Sequence, residues 1–290
     1  MVRMAAGGKM KTLFKLIAIV VAIWSISLTL TTIAWYGNED HKRAGVLILN
    51  YHQVTDTHYS PLTMHPKAFH TQMKYLKNNG YHPITTKQLD DYLTKGVALP
   101  DKPVLITFDD GYEDNYKYAY PILKKFNFPA TIYMIGEAID QPRFLKTEQI
   151  KELLAYGIEI ESHTYSHIPL NEAKPEELRK DLELLKATFL EKFGYEPKYI
   201  AYPRGFTSEE NLKVIKQAGY RLGFTVNPGS VDLGEDLFNI QRTPIFEVPY
   251  RNLCFVFRLH FPEFVGDLWH FRNYLIKNGH ENIANRIPTF

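Results

Sequence analysis

The sequence predicts an α/β domain behind an N-terminal membrane segment. From residue 45 onward, apolar runs of strand length alternate with amphipathic stretches of helix length. Helix-boundary residues fall where the alternation changes. One uncharged stretch near the start also has the length of a bilayer crossing.

In chain order, that stretch comes first. Residues 12–36 read TLFKLIAIVVAIWSISLTLTTIAWY, without a charged side chain from Leu16 to Tyr36, which matches the ~20 residues that span a hydrocarbon core. Arg3, Lys9, Lys11 and Lys15 precede it, so the N-terminus is expected in the cytoplasm and the remainder outside, with Trp35 and Tyr36 as an interfacial anchor. No Ala-x-Ala-like triplet closes the stretch, which favours an uncleaved, single-pass anchor over a signal peptide; cleavage would yield a secreted form. The expected organisation is a cytoplasmic stub and transmembrane anchor over 1–36, a linker over 37–44, a main domain over 45–250 and a C-terminal helical extension over 251–290.

Within the main domain, strands are expected at Val46 to Asn50, Val104 to Phe108, Ala130 to Met134, Ile158 to Glu161, Tyr199 to Tyr202 and Leu222 to Val226. Helices are expected around 66–79, 86–95, 116–126, 147–156, 175–193 and 208–218. Ser208 suits the N-cap of a helix beginning at Glu209, and Pro175 suits a first helical turn, where no amide bond is lost. Gly80, Gly157, Gly194 and Gly219 follow helical stretches, as C-terminal caps do. The repeat fits a closed or nearly closed barrel of parallel strands, although periodicity does not separate a barrel of seven or eight strands from an open doubly wound sheet. The aromatic-rich tail from Arg251 is read as a packed terminal helix.

Composition narrows function by exclusion. With 34 basic against 32 acidic residues, the net charge is +2, so bulk charge gives no reason to expect nucleic acid. A hydrophobic content of 45% supports a sizeable core. Cys254 is the only cysteine; it permits no intramolecular disulfide and no thiolate zinc site, and is read as a small buried apolar residue.

Four short segments carry chemistry. Thr107-Phe108-Asp109-Asp110-Gly111 ends an apolar run, so its adjacent carboxylates point to different sides and can take two jobs, one on a metal and one on a proton. His163-Thr164-Tyr165-Ser166-His167 follows another strand; the two imidazoles share a face if that turn is helical. Two histidines and one aspartate leave coordination positions open, as in a catalytic rather than a structural zinc site. Tyr202-Pro203-Arg204-Gly205 and Asn50-Tyr51-His52-Gln53 also stand at strand ends, where a turn or a hydrogen-bonded loop histidine would be the plainer explanation.

Together, TFDDG, HTYSH and YPRG in this order resemble the polysaccharide deacetylases, the NodB-homology carbohydrate esterases, over residues 45 to about 245. The resemblance implies a distorted (β/α) barrel of seven or eight parallel strands. It also implies a divalent ion, zinc first and cobalt, nickel, iron or manganese as alternatives, and deacetylation of N-acetylglucosamine units in a polysaccharide. Position by position, Asp109 matches the catalytic base, while Asp110, His163 and His167 match the metal ligands. Pro203 and Arg204 match the motif that offers a backbone N–H to the oxyanion. Ala201 stands where many members carry an arginine, which leaves the tuning of Asp109 open. Arg242, in NIQRTP, is a candidate for that missing charge, with a surface position as the alternative.

No convincing leucine-histidine motif closes the domain, because Leu259-His260 lies beyond the last expected strand. LNYHQV instead resembles the circularly permuted branch that includes the poly-β-1,6-N-acetylglucosamine and intercellular-adhesin deacetylases, which makes His52 the catalytic acid. The implied substrates are that polymer, peptidoglycan or chitin-like chains. A glycoside hydrolase would not need the histidine pair, and a membrane-tethered glycan-binding protein would not need the whole set.

Overall fold

The computed structural model describes residues 45–248 and 250–287. The expected membrane segment and linker fall outside the described residues. Among the described residues, no helix is long and apolar enough to cross a membrane.

The strands are β1 (Val46–Tyr51), β2 (Gln53–Val54), β3 (Thr63–Met64), β4 (His82–Ile84), β5 (Pro103–Asp110), β6 (Thr131–Met134), β7 (Glu159–Ser162), β8 (Tyr199–Ala201), β9 (Leu222–Phe224), β10 (Ser230–Val231) and β11 (Thr243–Pro244). Nine of them form a curled, largely parallel sheet in the order β10-β1-β5-β6-β7-β8-β9, with β4 beside β5 and β11 beside β1, while β2 and β3 pair in a separate two-stranded sheet. Two features depart from seven or eight parallel strands: the sheet has nine strands, and β10 runs antiparallel to β1. The extra strands have two or three residues each, too few for side-chain alternation to reveal. Beyond β9, Ile240 bridges Phe224 in parallel, and β11 then pairs in parallel with Leu49 and Asn50 of β1. Residues 240–244 thus connect β9, at one end of the row, to β1, next to the other end.

The helices in the connections are α1 (Pro66–Asn78), α2 (Thr86–Lys95), α3 (Tyr120–Phe126), α4 (Thr147–Tyr156), α5 (Pro175–Phe193) and α6 (Glu209–Gln217). Their ends follow the boundary chemistry: Ser208 accepts the Asn211 amide, Pro175 opens α5, and Gly80, Gly157, Gly194 and Gly219 take left-handed φ values. The stretch expected as one helix from 116 is instead a π turn, Asn115–Ala119, leading into α3. Pro121 lacks the amide that would close an ordinary turn there.

Aromatic rings pack together where β1 and β5 face α1. The rings of Tyr51, Phe69 and Phe108 lie 5.2–5.8 Å apart, each pair adding ~0.5–1.5 kcal/mol beyond its burial. The tail is not one helix but α7 (Arg251–His260), α8 (Pro262–Lys277) and a short α9 (Glu281–Ala284). Pro262 forces the break after Phe261 by removing a donor and disfavouring helical geometry before it. Arg258 of α7 is 4% exposed, donates to the Pro244 carbonyl, and stacks over Phe246 at 5.2 Å. The tail therefore braces β11. Cys254, on the same helix, is only partly buried.

Candidate functional site

Neighbouring parallel strands present their C-terminal ends together, so β1, β5, β7 and β8 bring the four segments to one place. The register pairs Tyr51 with Phe108, which sets His52 beside Asp109. At the end of β5 the backbone turns left-handed at Asp110 (φ 73°) and Gly111 (φ 79°). The positive φ at 111 favours glycine, and a side chain there would also displace the Met134 sulfur, 2.0 Å from an ideal Cβ. The turn sends the two carboxylates apart.

Asp110 meets the histidines. Its Oδ1 lies 3.4 Å from His163 Nε2 and 3.5 Å from His167 Nε2, and the three donor atoms lie within 4.8 Å of one another. His163 Nδ1 donates to the Ala201 carbonyl at 2.8 Å, which fixes the tautomer and leaves Nε2 as the acceptor facing the cluster. Two imidazole nitrogens and a carboxylate oxygen converging in this way fit a divalent cation. Burial opposes the charged form of His163, but Asp109 and Asp110 outweigh it and raise its pKa. Burial lowers the pKa of His167, and the His163 charge adds to the effect.

The histidine turn is not helical. Thr164 (φ 64°) and His167 (φ 55°) are left-handed, and the Asp181 carboxylate on α5 accepts the Tyr165 amide at 2.6 Å, the Ser166 amide at 3.0 Å and the Ser166 hydroxyl. The imidazoles therefore converge through a clamped loop, their ring centres 5.0 Å apart. Left-handed non-glycine residues cost of order 1–3 kcal/mol each, and three surround this cluster.

Asp109 faces the other way, toward Arg242. The guanidinium is wholly buried and binds the carboxylate through two bonds of 2.6 and 2.8 Å. Its Nε donates to the Thr225 carbonyl at 2.8 Å, its plane lies over the Tyr133 ring at 5.4 Å, and Asn50 Nδ2 adds a 3.2 Å bond to Asp109. Arg242 is thus an interior partner of Asp109 and not a surface residue. Burial alone would push the Asp109 pKa up, yet the charges of Arg242 and His163 hold it well below the usual carboxylate range.

His52 lies close enough to feel Asp109, Asp110 and His163. Burial lowers its pKa, and the two carboxylates only partly oppose that. Pro203 is buried while Arg204 is exposed on the rim, where its charge reaches His167. Arg204 is left-handed (φ 61°), which turns the Pro203–Gly205 segment sharply. His260 stands apart on α7, with its Nε2 3.3 Å from the Tyr75 hydroxyl of α1.

Several neighbours had no sequence signal of their own. Tyr133 on β6, Asp181 on α5 and Thr225 just after β9 take roles that emerge only from tertiary pairing, whereas Asn50 lies in a segment the sequence had singled out. Tyr112 is different, since it directly follows the Asp-Asp-Gly segment; it hydrogen-bonds Asp110, and burial followed by the Asp110 charge pushes its pKa up to about 12.

Residues 96–223 match a family model described as polysaccharide deacetylase. The chain is 39% identical over 214 residues to YxkH of Bacillus subtilis (strain 168), a protein named for the polysaccharide deacetylases; the match covers 74% of this chain and 75% of that one. It is 29% identical over 241 residues to the poly-β-1,6-N-acetyl-D-glucosamine N-deacetylase of Staphylococcus aureus (strain MSSA476), covering 73% and 83% of the two chains. Among solved structures, IcaB from Ammonifex degensii superposes with a TM-score of 0.68 at 27% identity, covering 75% of this chain and 98% of the other.

Proposed function

The chain belongs to the polysaccharide deacetylase family, and from that premise we propose that it hydrolyses the acetamide of N-acetylglucosamine units in a polymer, poly-β-1,6-N-acetylglucosamine first among them. The observation that carries the reading is the division of labour at the end of β5: Asp110 joins His163 and His167, while Asp109 is gripped by Arg242.

Asp110, His163 and His167 would hold a divalent cation, zinc by its donor set, with cobalt, nickel, iron or manganese as alternatives. When bound, such a cation polarises an acetamide carbonyl and an attacking water. Asp109 takes a proton from the water as it adds to the carbonyl carbon. The Arg204 amide donates to the oxygen that becomes negative. His52 then protonates the nitrogen as the carbon–nitrogen bond breaks, leaving acetate and an amine. Burial lowers the pKa of His52, so its imidazolium gives up a proton to the leaving nitrogen readily. Pro203 fixes the turn that presents the Arg204 amide.

The proposed setting is the outer face of a cell membrane, tethered by residues 16–36. Retention in membranes after a high-salt wash, with the segment intact by mass spectrometry, supports this; a soluble form beginning near residue 37 means a cleaved signal. The test of function is acetate release from poly-β-1,6-N-acetylglucosamine, chitin oligomers and peptidoglycan, measured side by side. Chain cleavage without acetate would point to a glycoside hydrolase instead.

A further inference from the structure

A two-residue strand that contains a proline is weakly held. β11 pairs with β1 only through Thr243 and Pro244, and Pro244 brings no amide to the ladder. Both side chains that bond Asp109 nevertheless depend on this strand. Arg242 directly precedes it, and Asn50 is the residue of β1 in register with Pro244. In front, the Arg242 amide donates to the Asn227 carbonyl at 3.0 Å; behind, the Ile245 amide donates to the Asn50 carbonyl at 2.8 Å. Between those two bonds the Pro244 carbonyl receives the Arg258 guanidinium from α7.

Arg258 is a costly residue to place there. It is 4% exposed, its Nε meets no acceptor, and among the described residues no carboxylate pairs with it. Burial lowers its pKa to about 10, which leaves it a cation at neutral pH. An apolar side chain of similar volume would relieve that burden on the core. What the guanidinium supplies and an apolar chain does not is a donor, and that donor reaches Pro244. The Phe246 ring, two residues further on, lies 5.2 Å from the same group. Two contacts of Arg258 thus fall on the segment that follows Arg242.

We propose that Arg258 is a positioning residue for the base: from α7 it fixes the Pro244 carbonyl, and through β11 it holds Arg242 and Asn50 against Asp109. The proposal rests on the deacetylase reading and gives the C-terminal helices a part in turnover. The paired bonds of 2.6 and 2.8 Å leave little room for displacement, and misplacing a working group by about 1 Å costs up to ~10²-fold in rate.

Arg258→Met keeps the bulk and removes the donor with the charge. Acetate release from a β-1,6-linked N-acetylglucosamine pentamer is measured with the zinc-loaded full-length chain in detergent. Arg258→Met is expected to lose about 10-fold in kcat with KM little changed, and Arg258→Lys, which restores a cationic donor, to recover most of the loss. Tm should hold or rise in Arg258→Met, because an unpaired buried charge has gone. A lowered Tm with kcat unchanged would mean that Arg258 only anchors the tail, and overturns the proposal.

The Arg242 Nε–H, which donates to the Thr225 carbonyl, gives a readout that needs no substrate. Its signal in the nitrogen-15 spectrum is identified by its absence from Arg242→Lys. Exchange of this proton with solvent should be about 10-fold faster in Arg258→Met and close to the parent rate in Arg258→Lys. Should no polymer release acetate while exchange quickens, the positioning stands and the deacetylase reading alone fails. If Arg258→Met does not fold, Phe246→Leu carries the test, since it removes only the ring beside the guanidinium; faster exchange and a smaller loss in kcat are expected. Unchanged exchange in the variant that folds overturns the proposal.

Discussion

Asp109 and Glu161 lie in one row of the sheet, on either side of Tyr133, with which both are in register. They are 2% and 8% exposed. Burial opposes ionisation of both. Asp109 nevertheless stays ionised because Arg242 meets it with two hydrogen bonds and a full charge. Glu161 accepts from the amides of Lys198 and Tyr199, and burial pushes its pKa up to about 8. Two buried carboxyls on either flank of Tyr133 are thus shifted in opposite directions. The nearest cation decides, not the burial.

If the Asp109 flank is the chemical one, the largest loss follows from its neighbours in the ligand cluster. His163→Ala or Asp110→Asn should reduce acetate release to background with the domain still folded, and elemental analysis should find the cation gone. Full occupancy with activity in either variant ends the metal assignment. Asp109→Asn should keep the cation yet lose ~10²–10⁴-fold in turnover, the contribution of a general base. Glu161→Gln, already matched by a protonated side chain at pH 7, should turn over like the parent. Equal losses in the two variants would erase the distinction drawn here.

His52→Ala should cost ~10²-fold in kcat with little change in metal affinity, and His260→Ala should do little. The reverse pattern would move the acid to α7 and undo the permuted order.

Arg242→Met strands a buried carboxylate, so unfolding measurements at pH 7 should show a loss of about 3–5 kcal/mol. Adding Asp109→Asn should recover much of it. The pH dependence has a definite sign: a depressed carboxylate stabilises above its unfolded pKa near 4 and loses that contribution as pH falls. The parent should therefore lose stability on acidification more steeply than the double variant. Glu161 has the opposite sign. Its contribution is complete below its unfolded pKa and is lost as pH rises toward about 8, so Glu161→Gln should gain on the parent between pH 5 and 8. A pH-independent difference would show that Glu161 is ionised in the folded chain.

The α/β alternation and most helix ends could be read from the sequence because they rest on local chemistry: α2, α4 and α5 fall where periodicity and caps put them. Asp109, Asp110, His163 and His167 were legible as strand-end clusters for the same reason. The Asp109–Arg242 pair spans 133 positions, and only the pairing of β11 with β1 brings it together; the sequence offers Arg242 as a candidate without choosing between interior and surface. The sequence leaves the conformation of the histidine turn open because Asp181, which clamps it, belongs to another element. Two-residue strands such as β10 leave no periodic trace at all.

Residues 240–244 also have a place in time. Ribosomes add ~5–20 residues per second, so Arg242 emerges roughly 7–27 s after Asp109. Before that interval ends the chain already carries Asp110, His163 and His167, but Asp109 lacks its guanidinium, and β1 and β9 lack the segment that bridges them. Unpaired strand edges of that kind invite association with other chains. The last stave to be synthesised thus ends the period of aggregation risk and arms the base in the same event.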